Sequence, residues 1–463
     1  MLFIMTKIYE LQQYKHIHML GIGGVSMSGI AELLKHWGFS VTGSDRTSSP
    51  ITDKLISNGI PVTIGNDDSN LINSNLVVYT AAIKQDDVLL LRAKALGIPT
   101  IERASFLGTI TKAFEDTICI SGTHGKTTTT SMVSMCFLEA AKDPSIQVGA
   151  YLKAIDGNYR VGNSEYFIIE ACEYVESFLK FFPKSEIILN IDNDHLDYFK
   201  NLENIKTSFA KYVALLPEDG LLVLNGDDIN CKGLNKFTSA KCLTYGIENE
   251  SNNFIARNIS FNKNGFPTFD VYFNNNFYKT INLSIPGSHN IMNALACIAL
   301  CHHYEIPKDD IKSALAKYTG ASRRFEFKGE FNGVSVYDDY AHHPTEIVSI
   351  VNALKNKDFN KSWVIFQPHT YSRTYNLLND FAEALSNFDN IIVTDIYSAR
   401  ENNIYNISSQ DLVSKLISLN PNTKYMSDFE HIASYIKSNA KPSDIVITLG
   451  AGTITNLSSM LVE

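Results

Sequence analysis

Short apolar runs alternate with helical patterns along the first hundred residues. The runs HIHML, FSVTGSD and NLVVYTAA have the character of strands, and SMSGIAELLKHWG between the first two has that of a helix. Alternation of this kind predicts βαβ units and a parallel sheet. We therefore expect a Rossmann-like α/β domain over residues 1–112.

The same rhythm resumes after residue 112. Glycine, acidic or proline residues separate four further strand-like runs, which are ICIS, YFIIEACEY, SEIILNID and GLLVLNGDD. Residues 240–285 differ because they are rich in Asn, Phe, Tyr and Thr with frequent turn residues, and this predicts a small antiparallel subsheet. The pattern predicts a central P-loop ATPase-like α/β domain over residues 113–321.

The last third of the chain repeats the strand–helix pattern. Its apolar runs are GVSVYDD, SWVIFQP, NIIVTDIY and DIVITLGAG. They predict a second Rossmann-like α/β domain over residues 322–463. A chain of 463 residues is too long for one hydrophobic core, so three α/β domains joined by short connectors are expected.

Composition narrows the class of protein. With 44% hydrophobic and 19% charged residues, the chain is typical of globular proteins. No apolar run approaches the roughly 18 residues of a membrane span, and the N-terminal MLFIM is too short for a signal peptide, so we expect a cytoplasmic protein without a membrane partner. The formal charge of −9 is spread out without a basic patch, which argues against nucleic acid. Seven scattered cysteines without a C-x-x-C pair predict reduced, mostly buried thiols.

A predicted strand, a glycine-containing loop and a predicted helix follow one another around residue 125. The glycine spacing is shorter than in a standard Walker A loop. Backbone N–H groups entering a helix N-terminus would still form an anion nest, Lys126 could reach β- and γ-phosphates, and Thr127 could ligate Mg²⁺. A glycine-rich turn capped by threonines is the structural alternative. The residues predicted to hold phosphate are Gly122, Thr123, His124, Gly125, Lys126, Thr127 and Thr128.

A second glycine-rich turn, GIGGVSMSG, follows the first predicted strand. It contains Gly21, Gly23 and Gly24, and Ser26 stands where a G-x-G-x-x-G pattern would have its last glycine. Asp45 ends the next predicted strand, about where a ribose-binding acid belongs in a dinucleotide fold. The pattern is compatible with a nucleotide diphosphate site, NAD included, and equally with a structural turn.

Acidic residues and a histidine stand at the ends of two apolar strands of the central region. The C-terminal ends of parallel strands meet at one edge of a sheet, so these side chains can converge on the phosphate loop and hold Mg²⁺. Each acid alone could be a helix cap or a turn former, so their joint occurrence favours a metal site. The residues are Glu170, Glu173, Asp192, Asp194, His195 and Asp197.

The stretch YDDYAHHPTEI, in the last third of the chain, contains several side chains that could take part in binding or catalysis. Its polar residues are Asp338, Asp339, Tyr340, His342 and His343. Asp and His are common metal ligands, but adjacent histidines point in different directions and no H-x-x-x-H pattern follows, so we expect substrate binding instead. Arg323, Arg324 and Arg373 add guanidinium groups suited to phosphate or carboxylate, although surface arginines are usually solvated.

Taken in order, these motifs resemble those of the ATP-dependent Mur ligases. They extend from GIGGVSMSGIAE to LGAGTI, which is nearly the whole chain. One departure is Cys172, where many members have aspartate. The motifs between the two ends are GTHGKTTTT, EACEY, NIDNDHLDYF, PGSHNIMNALA, SRRFE, DDYAHHPTEI, QPHTYSRT and DIYSARE.

The resemblance implies a ligase that uses ATP and Mg²⁺ to join L-alanine to the lactyl carboxylate of UDP-N-acetylmuramate. The reaction would pass through an acyl phosphate and serve peptidoglycan synthesis, and the expected assembly is a monomer or homodimer. One alternative is the relative that ligates murein tripeptide, which usually has Phe at the position of Tyr340 and lacks PHTYSRT. An NAD(P)-dependent oxidoreductase and a non-catalytic nucleotide sensor are alternatives from other classes.

The same resemblance implies roles for individual residues. The UDP-sugar would contact Gly21, Gly23, Gly24, Ser26 and Asp45. ATP would contact the phosphate loop, Asn290 and Asn293 at adenine, Arg324 at the phosphates and Asp338 at the ribose. Mg²⁺ would be bound by Thr127, Glu170 and, at a second ion, His195. L-Alanine would contact Tyr340, His342 and Arg373. The catalytic residues would be Lys126, His195, Arg324, His342 and His343, with one of the last two deprotonating the amine.

Overall fold

The computed structural model describes residues 11–399 and 401–463, apart from the side chain of Asp197. The chain forms two compact units, and their boundaries fall within three strands and two helices between residues 254 and 317. Unit 1 comprises the described residues up to Ile255, together with Phe273–Asn276 and Ala294–Ala314. Unit 2 comprises Ala256–Tyr272, Phe277–Asn293 and Leu315–Glu463.

The first part of unit 1 contains a parallel five-stranded sheet of order β3-β2-β1-β4-β5. Its strands are β1 His16–Leu20, β2 Ser40–Asp45, β3 Val62–Ile64, β4 Leu76–Tyr79 and β5 Thr100–Glu102. Its helices are α1 Val25–His36, α2 Pro50–Ser57, α3 Val88–Ala95 and α4 Arg103–Thr111. The prediction of a Rossmann-like fold here is confirmed.

The second part of unit 1 carries a larger sheet of order β12-β11-β10-β6-β9-β7-β8, parallel apart from the β7–β8 pair. The strands are β6 Asp116–Ser121, β7 Ser145–Leu152, β8 Gly157–Arg160, β9 Tyr166–Glu170, β10 Ser185–Ile188, β11 Leu221–Asn225 and β12 Lys241–Gly246. The helices are α5 Lys126–Glu139, α6 Leu196–Phe199 and α7 Leu202–Val213, with 3₁₀ turns at Lys153–Ile155, Tyr174–Lys180 and Leu234–Phe237. The predicted central α/β fold is confirmed, whereas the β7–β8 hairpin was not predicted.

Three neighbouring strands, two of which form a hairpin, and two helices follow. The strands are β13 Phe254–Phe261, β14 Pro267–Phe273 and β15 Asn276–Asn282. The β14–β15 connection has two asparagines with positive φ, Asn274 at 46° and Asn275 at 63°, as a tight hairpin requires. The predicted antiparallel subsheet is therefore present in this region. The helices are α8 His289–His303 and α9 Lys308–Lys317.

The rest of unit 2 is built on a six-stranded sheet of order β16-β17-β21-β18-β19-β20, parallel except for the β16–β17 pair. The strands are β16 Glu326–Phe331, β17 Val334–Asp339, β18 Ser362–Phe366, β19 Asn390–Val393, β20 Thr423–Tyr425 and β21 Ile445–Leu449. The helices are α10 Pro344–Leu354, α11 Tyr371–Asn376, α12 Leu378–Leu385, α13 Ser409–Leu419, α14 Phe429–Asn439 and α15 Thr455–Val462. Every residue of β18 and β21 is buried, because separate apolar clusters cover the two faces of the sheet.

The two sheets of unit 1 share one apolar core. Phe114, in the connector between α4 and β6, packs its ring 5.9 Å from that of Trp37 and 4.8 Å from that of Phe167. The predicted first and central domains therefore pack together within this unit. The predicted domain boundaries at residues 112 and 321 remain predictions. Within the described part of the chain, no helix is long and apolar enough to cross a membrane.

Candidate functional site

The phosphate loop connects the end of β6 to the start of α5. Gly122 has φ of 136° and Gly125, the N-cap of α5, has φ of 87°, both of which favour glycine. A Cβ on Gly122 would also lie 2.9 Å from Cβ of Leu189. The local sequence therefore folds into a loop that leads into the helix N-terminus, the arrangement expected of an anion nest.

The segment that follows β10 holds the loop in place. The backbone N–H of Thr123 donates to the carbonyl of Asn190 at 3.0 Å, and that of His124 donates to the Asn190 side-chain oxygen at 2.8 Å. Asn190 Nδ2 returns a bond to the carbonyl of His124 at 3.0 Å, and Thr123 Oγ1 accepts from the N–H of Asp192 at 2.9 Å. Asp192, predicted to converge on this site, does so, and its Oδ2 lies 3.2 Å from His124 Nε2.

Lys126 lies across the loop, where a nucleotide phosphate would sit. Its Nζ donates to the carbonyl oxygens of Gly122 at 2.5 Å and Thr123 at 3.0 Å, and to both carboxylate oxygens of Glu173 at 3.0 and 3.2 Å. Burial lowers the pKa of Lys126, but Glu173, Cys172 and Glu170 together outweigh it and the net pKa is raised. Lys126 is therefore cationic, and Glu173, predicted as one of the metal-holding acids, contacts it and is only 2% exposed.

Thr127 and Glu170 form the oxygen pair expected of a Mg²⁺ site. Glu170 ends β9, which is paired in parallel with β6, so its carboxylate reaches the first turn of α5. Thr127 Oγ1 donates to Glu170 Oε2 at 3.2 Å, and the N–H of Gly149 donates to Glu170 Oε1 at 2.5 Å. A hydroxyl and a carboxylate suit Mg²⁺, which prefers oxygen ligands, so these two residues fit the ion.

His195 lies at the same edge of the sheet. Its φ of 55° is in the left-handed region, which is uncommon outside glycine and often marks a functional position. His195 Nε2 lies 3.8 Å from Glu173 Oε1 and 3.8 Å from Asp194 Oδ2, and the ring packs 4.5 Å from that of Tyr174. The structure thus brings Lys126 and His195 to the same carboxylate. The side chain of Asp197, also predicted here, lies outside the described residues.

The first glycine-rich turn is held in place by Asp45, the acidic residue at the end of β2. Gly21 has φ of 76°, and the N–H of Gly24 donates to its carbonyl at 3.1 Å. Asp45 Oδ2 accepts from the N–H of Gly23 at 2.8 Å, and its Oδ1 accepts from the N–H of Arg46 at 2.8 Å. Asp45 therefore orders the turn directly, and its contact with the UDP-sugar remains a prediction.

Ser26 opens onto a cavity of about 250 Å³ within unit 1. Its Oγ accepts from Arg103 Nη1 at 3.3 Å and from Gln147 Nε2 at 2.5 Å, and Glu170 and Cys172 line the same cavity. The cavity thus extends from the UDP-sugar candidate Ser26 to the metal candidate Glu170. Sequence reasoning missed Arg103 and Gln147, because each is a single residue outside any motif.

In unit 2, the two adjacent arginines both lie close to one tyrosine ring. The guanidinium carbons of Arg323 and Arg324 lie 4.9 and 5.4 Å from the ring centre of Tyr340, within the range of cation–π attraction. Arg323 also donates to the carbonyl of Gly450 at 2.5 Å and to Asp338 Oδ2 at 3.2 Å. The predicted ATP residue Arg324 and the predicted L-alanine residue Tyr340 are therefore neighbours.

Asp338 is engaged in contacts within unit 2. Its side chain is fully buried, and it accepts from Thr448 Oγ1 at 2.6 Å and from Thr455 Oγ1 at 2.7 Å in addition to Arg323. The expected contact between Asp338 and the ATP ribose remains a prediction, and it would require the carboxylate to exchange one of these partners.

His342 and His343 have different environments. His342 Nδ1 lies 2.9 Å from the carbonyl of Tyr340, so in the neutral ring the proton is on Nδ1 and the lone pair is on Nε2. His343 is the N-cap of α10, where its Nδ1 accepts from the N–H of Thr345 at 3.3 Å. His342 therefore has the tautomer of a proton acceptor, whereas His343 has a helix-capping role that its sequence position did not predict.

Arg373 lies close to Tyr340 and His342 by way of His369, a residue that the sequence analysis did not predict for the site. Arg373 Nη1 lies 3.2 Å from His369 Nδ1, the His369 ring stacks on Tyr397 at 5.7 Å, and it lies 5.7 Å from the ring of His342. The predicted residues Tyr340, His342 and Arg373 therefore form one aromatic and basic cluster. His369 could have been found from QPHTYSRT, one of the motifs that carry the resemblance.

The two predicted adenine residues lie at the start of α8. Asn290 Nδ2 donates to the carbonyl of Pro286 at 2.7 Å, and Asn293 Nδ2 donates to Asn290 Oδ1 at 3.0 Å. Both side chains are nearly buried, at 6% and 7% exposure. These contacts orient the two amides, and their assignment to adenine remains a prediction.

Comparison with known proteins places the chain in a family. Three family models match it in order: Mur ligase family, catalytic domain, over residues 16–115, Mur ligase middle domain over 120–301, and Mur ligase, glutamate ligase domain, over 323–452. Together these cover most of the chain. The chain belongs to the Mur ligase family, whose members are ATP-dependent ligases.

Individual proteins and solved structures of the family are similar to the chain over nearly its whole length. A UDP-N-acetylmuramate–L-alanine ligase of Acetivibrio thermocellus is 47% identical over 456 residues, which cover 98% of this chain and 97% of that protein. The crystal structure of UDP-N-acetylmuramate-alanine ligase from Thermotoga maritima has a TM-score of 0.82 at 28% identity, covering 97% of this chain and 98% of that one. A murein peptide ligase from Psychrobacter arcticus has a TM-score of 0.71 at 26% identity, covering 96% and 98%.

Proposed function

We propose that the protein joins L-alanine to the lactyl carboxylate of UDP-N-acetylmuramate, with hydrolysis of ATP to ADP and phosphate. The product, UDP-N-acetylmuramoyl-L-alanine, is a peptidoglycan precursor, so the protein serves cell-wall synthesis, cell shape and division. The observation that carries the proposal is the convergence of Lys126, Thr127 and Glu170 on a phosphate loop, with a cavity extending from Glu170 to Ser26. The full-length similarity to ligases of this name supports the choice of substrates.

A carboxylate has no leaving group, so amide formation needs activation by ATP. The lactyl carboxylate attacks the γ-phosphate to give an acyl phosphate and ADP, and the cationic Lys126 and the loop N–H groups stabilise the charge on the transferring phosphoryl group. Thr127 and Glu170 are the residues that would hold Mg²⁺, with His195 at a second ion. Mg²⁺, when bound, neutralises phosphate charge in such sites.

Entry of ATP changes the partners of Lys126. The ammonium group contacts Glu173 and two loop carbonyls, so a phosphate would have to replace at least one of these bonds. Glu173 would then keep its place 3.8 Å from His195 Nε2. His195 therefore acts in this proposal through metal binding, beside the carboxylate that Lys126 contacts in the structure.

The second half-reaction needs an unprotonated amine. The amine of L-alanine attacks the acyl carbon and expels phosphate, and His342, whose lone pair is on Nε2, accepts the proton. Tyr340 and Arg373 bind the amino acid, with Arg373 pairing its carboxylate. Arg324 contacts the ATP phosphates, and Asn290 and Asn293 bind adenine. The protein acts in the cytoplasm as a monomer or homodimer.

Release of phosphate from ATP tests the proposal. We expect release with Mg²⁺ only when both UDP-N-acetylmuramate and L-alanine are present, and none with D-glutamate. Release that requires murein tripeptide instead would move the protein to the peptide-ligating branch. No release with any amine would contradict the ligase function.

Lys126 supplies the sharper test. Lys126→Ala should abolish phosphate release, because the only described cation in contact with the loop carbonyls is removed, while UDP-N-acetylmuramate still binds as measured by calorimetry. Lys112→Ala is a matched control, since this lysine lies over the ring of Phe182 and outside the loop. Turnover by Lys126→Ala at the wild-type rate would refute the role of the loop.

A further inference from the structure

Three buried cysteines of unit 1 meet between two helices, outside the site described above. Cys136 lies in the last turn of α5, and Cys297 and Cys301 lie one turn apart on α8. All three are 0% exposed. The Sγ atoms of Cys136 and Cys297 are 3.6 Å apart, those of Cys297 and Cys301 are 3.9 Å apart, and all three lie within 4.8 Å of one another.

These separations suit a single ion held by three sulfurs. With metal–sulfur bonds of about 2.3 Å, three sulfurs around one ion in a plane are about 4.0 Å apart. Two of the three separations, 3.6 and 3.9 Å, are close to that value without any change of backbone. A lone buried thiol packs as a small hydrophobic side chain, but three thiols within reach of one ion form a ligand set.

We propose that Cys136, Cys297 and Cys301 bind one soft, thiophilic cation in three-coordinate geometry, with Cu(I) as the ion that fits best. Thiolate ligands select soft ions such as Cu(I) and Zn²⁺. Structural Zn²⁺ almost always takes four ligands, and among the described residues no fourth Cys, His, Asp or Glu belongs to this group. Binding exchanges thiol protons for the cation without a change of oxidation state.

The position of the cluster suggests how an ion could enter and which helix it would stabilise. Cys136 and Cys301 lie near the C-terminal ends of α5 and α8, which are at Glu139 and His303, and helix ends open more readily than helix centres. A bound ion would tie the last turn of α5 to α8. Because α5 begins at Lys126, the ion would stabilise the helix that carries the phosphate loop.

The experiment is a titration of the reduced full-length protein with Cu(I) under anaerobic conditions, against a chromophoric Cu(I) chelator. The background is Cys172→Ala/Cys242→Ala, which removes the two thiols that are not buried. We expect one Cu(I) per chain and an ultraviolet sulfur-to-copper charge-transfer band. Cys297→Ala should weaken binding at least about tenfold. Cys231→Ala, which removes a fully buried thiol outside the cluster, should bind as the background does.

Folding of each variant is checked by circular dichroism, and Cys301→Ser, a conservative change in a terminal turn, gives a second test if Cys297→Ala does not fold. Absence of stoichiometric binding, or binding that neither cluster variant weakens, would overturn the site. Displacement of Cu(I) by an equal concentration of Zn²⁺ would overturn the choice of ion.

Discussion

Glu186 offers a quantitative test of the core of unit 1. It lies on β10 between β6 and β11, directly opposite Cys119 and Leu222. Its side chain is 0% exposed, and neither carboxylate oxygen has a hydrogen-bond partner. Burial raises its pKa well above the ordinary 4.5, so the folded protein holds a neutral carboxyl here.

The magnitude follows from proton linkage. Keeping a carboxyl of ordinary pKa 4.5 protonated at about pH 7 lowers the free energy of unfolding by roughly 3 kcal/mol. Because the folded pKa is raised, the contribution of Glu186 to stability is fully present below about pH 4.5 and is lost as the pH rises towards the folded pKa. Glu186→Gln cannot titrate, so its stability relative to wild type should increase by roughly 2–3 kcal/mol between about pH 5 and pH 7.

Urea unfolding measures this difference within unit 1. The chain has 2 tryptophans, so a Trp363→Phe background leaves Trp37, buried in the core of unit 1, as the fluorescent reporter. Glu218→Gln, a change at an exposed position of the same unit, is the control and should show no such pH dependence. A stability difference between Glu186→Gln and wild type that stays constant from about pH 5 to pH 7 would show that Glu186 is ionised in the fold and refute the reasoning.

Three further predictions test other parts of the structure. Thr127→Ala or Glu170→Gln should raise the Mg²⁺ concentration needed for half-maximal phosphate release, since each removes one oxygen ligand, and an unchanged Mg²⁺ requirement would contradict the metal assignment. His342→Gln should lower kcat by about 10²–10⁴-fold and remove the acidic limb of the pH–rate profile, whereas a wild-type profile would exclude His342 as the base. Gly29→Ala should lower the free energy of unfolding by about 1–3 kcal/mol, because its Cβ would lie 2.6 Å from the Tyr159 ring, and a Tyr159→Leu background should remove most of that loss in thermal unfolding.

The sequence by itself determined the strand–helix architecture and the phosphate loop. Parallel strands buried on both faces are continuous apolar runs, so each sheet could be predicted from local patterns. The loop could be predicted because its chemistry is local: Gly122 and Gly125 allow the backbone turn, and Lys126 and Thr127 follow directly in the chain. The β7–β8 hairpin has no comparable local signal and was missed.

Only the tertiary structure decided which polar side chains meet. Two acids that look alike at the end of β9 separate in role, since Glu170 faces Thr127 and Glu173 pairs with Lys126. The Arg103–Ser26 contact joins residues 77 positions apart. The meeting of Cys136 with Cys297 joins residues 161 positions apart. Such pairings depend on how sheets and helices pack, and local sequence patterns do not predict that packing.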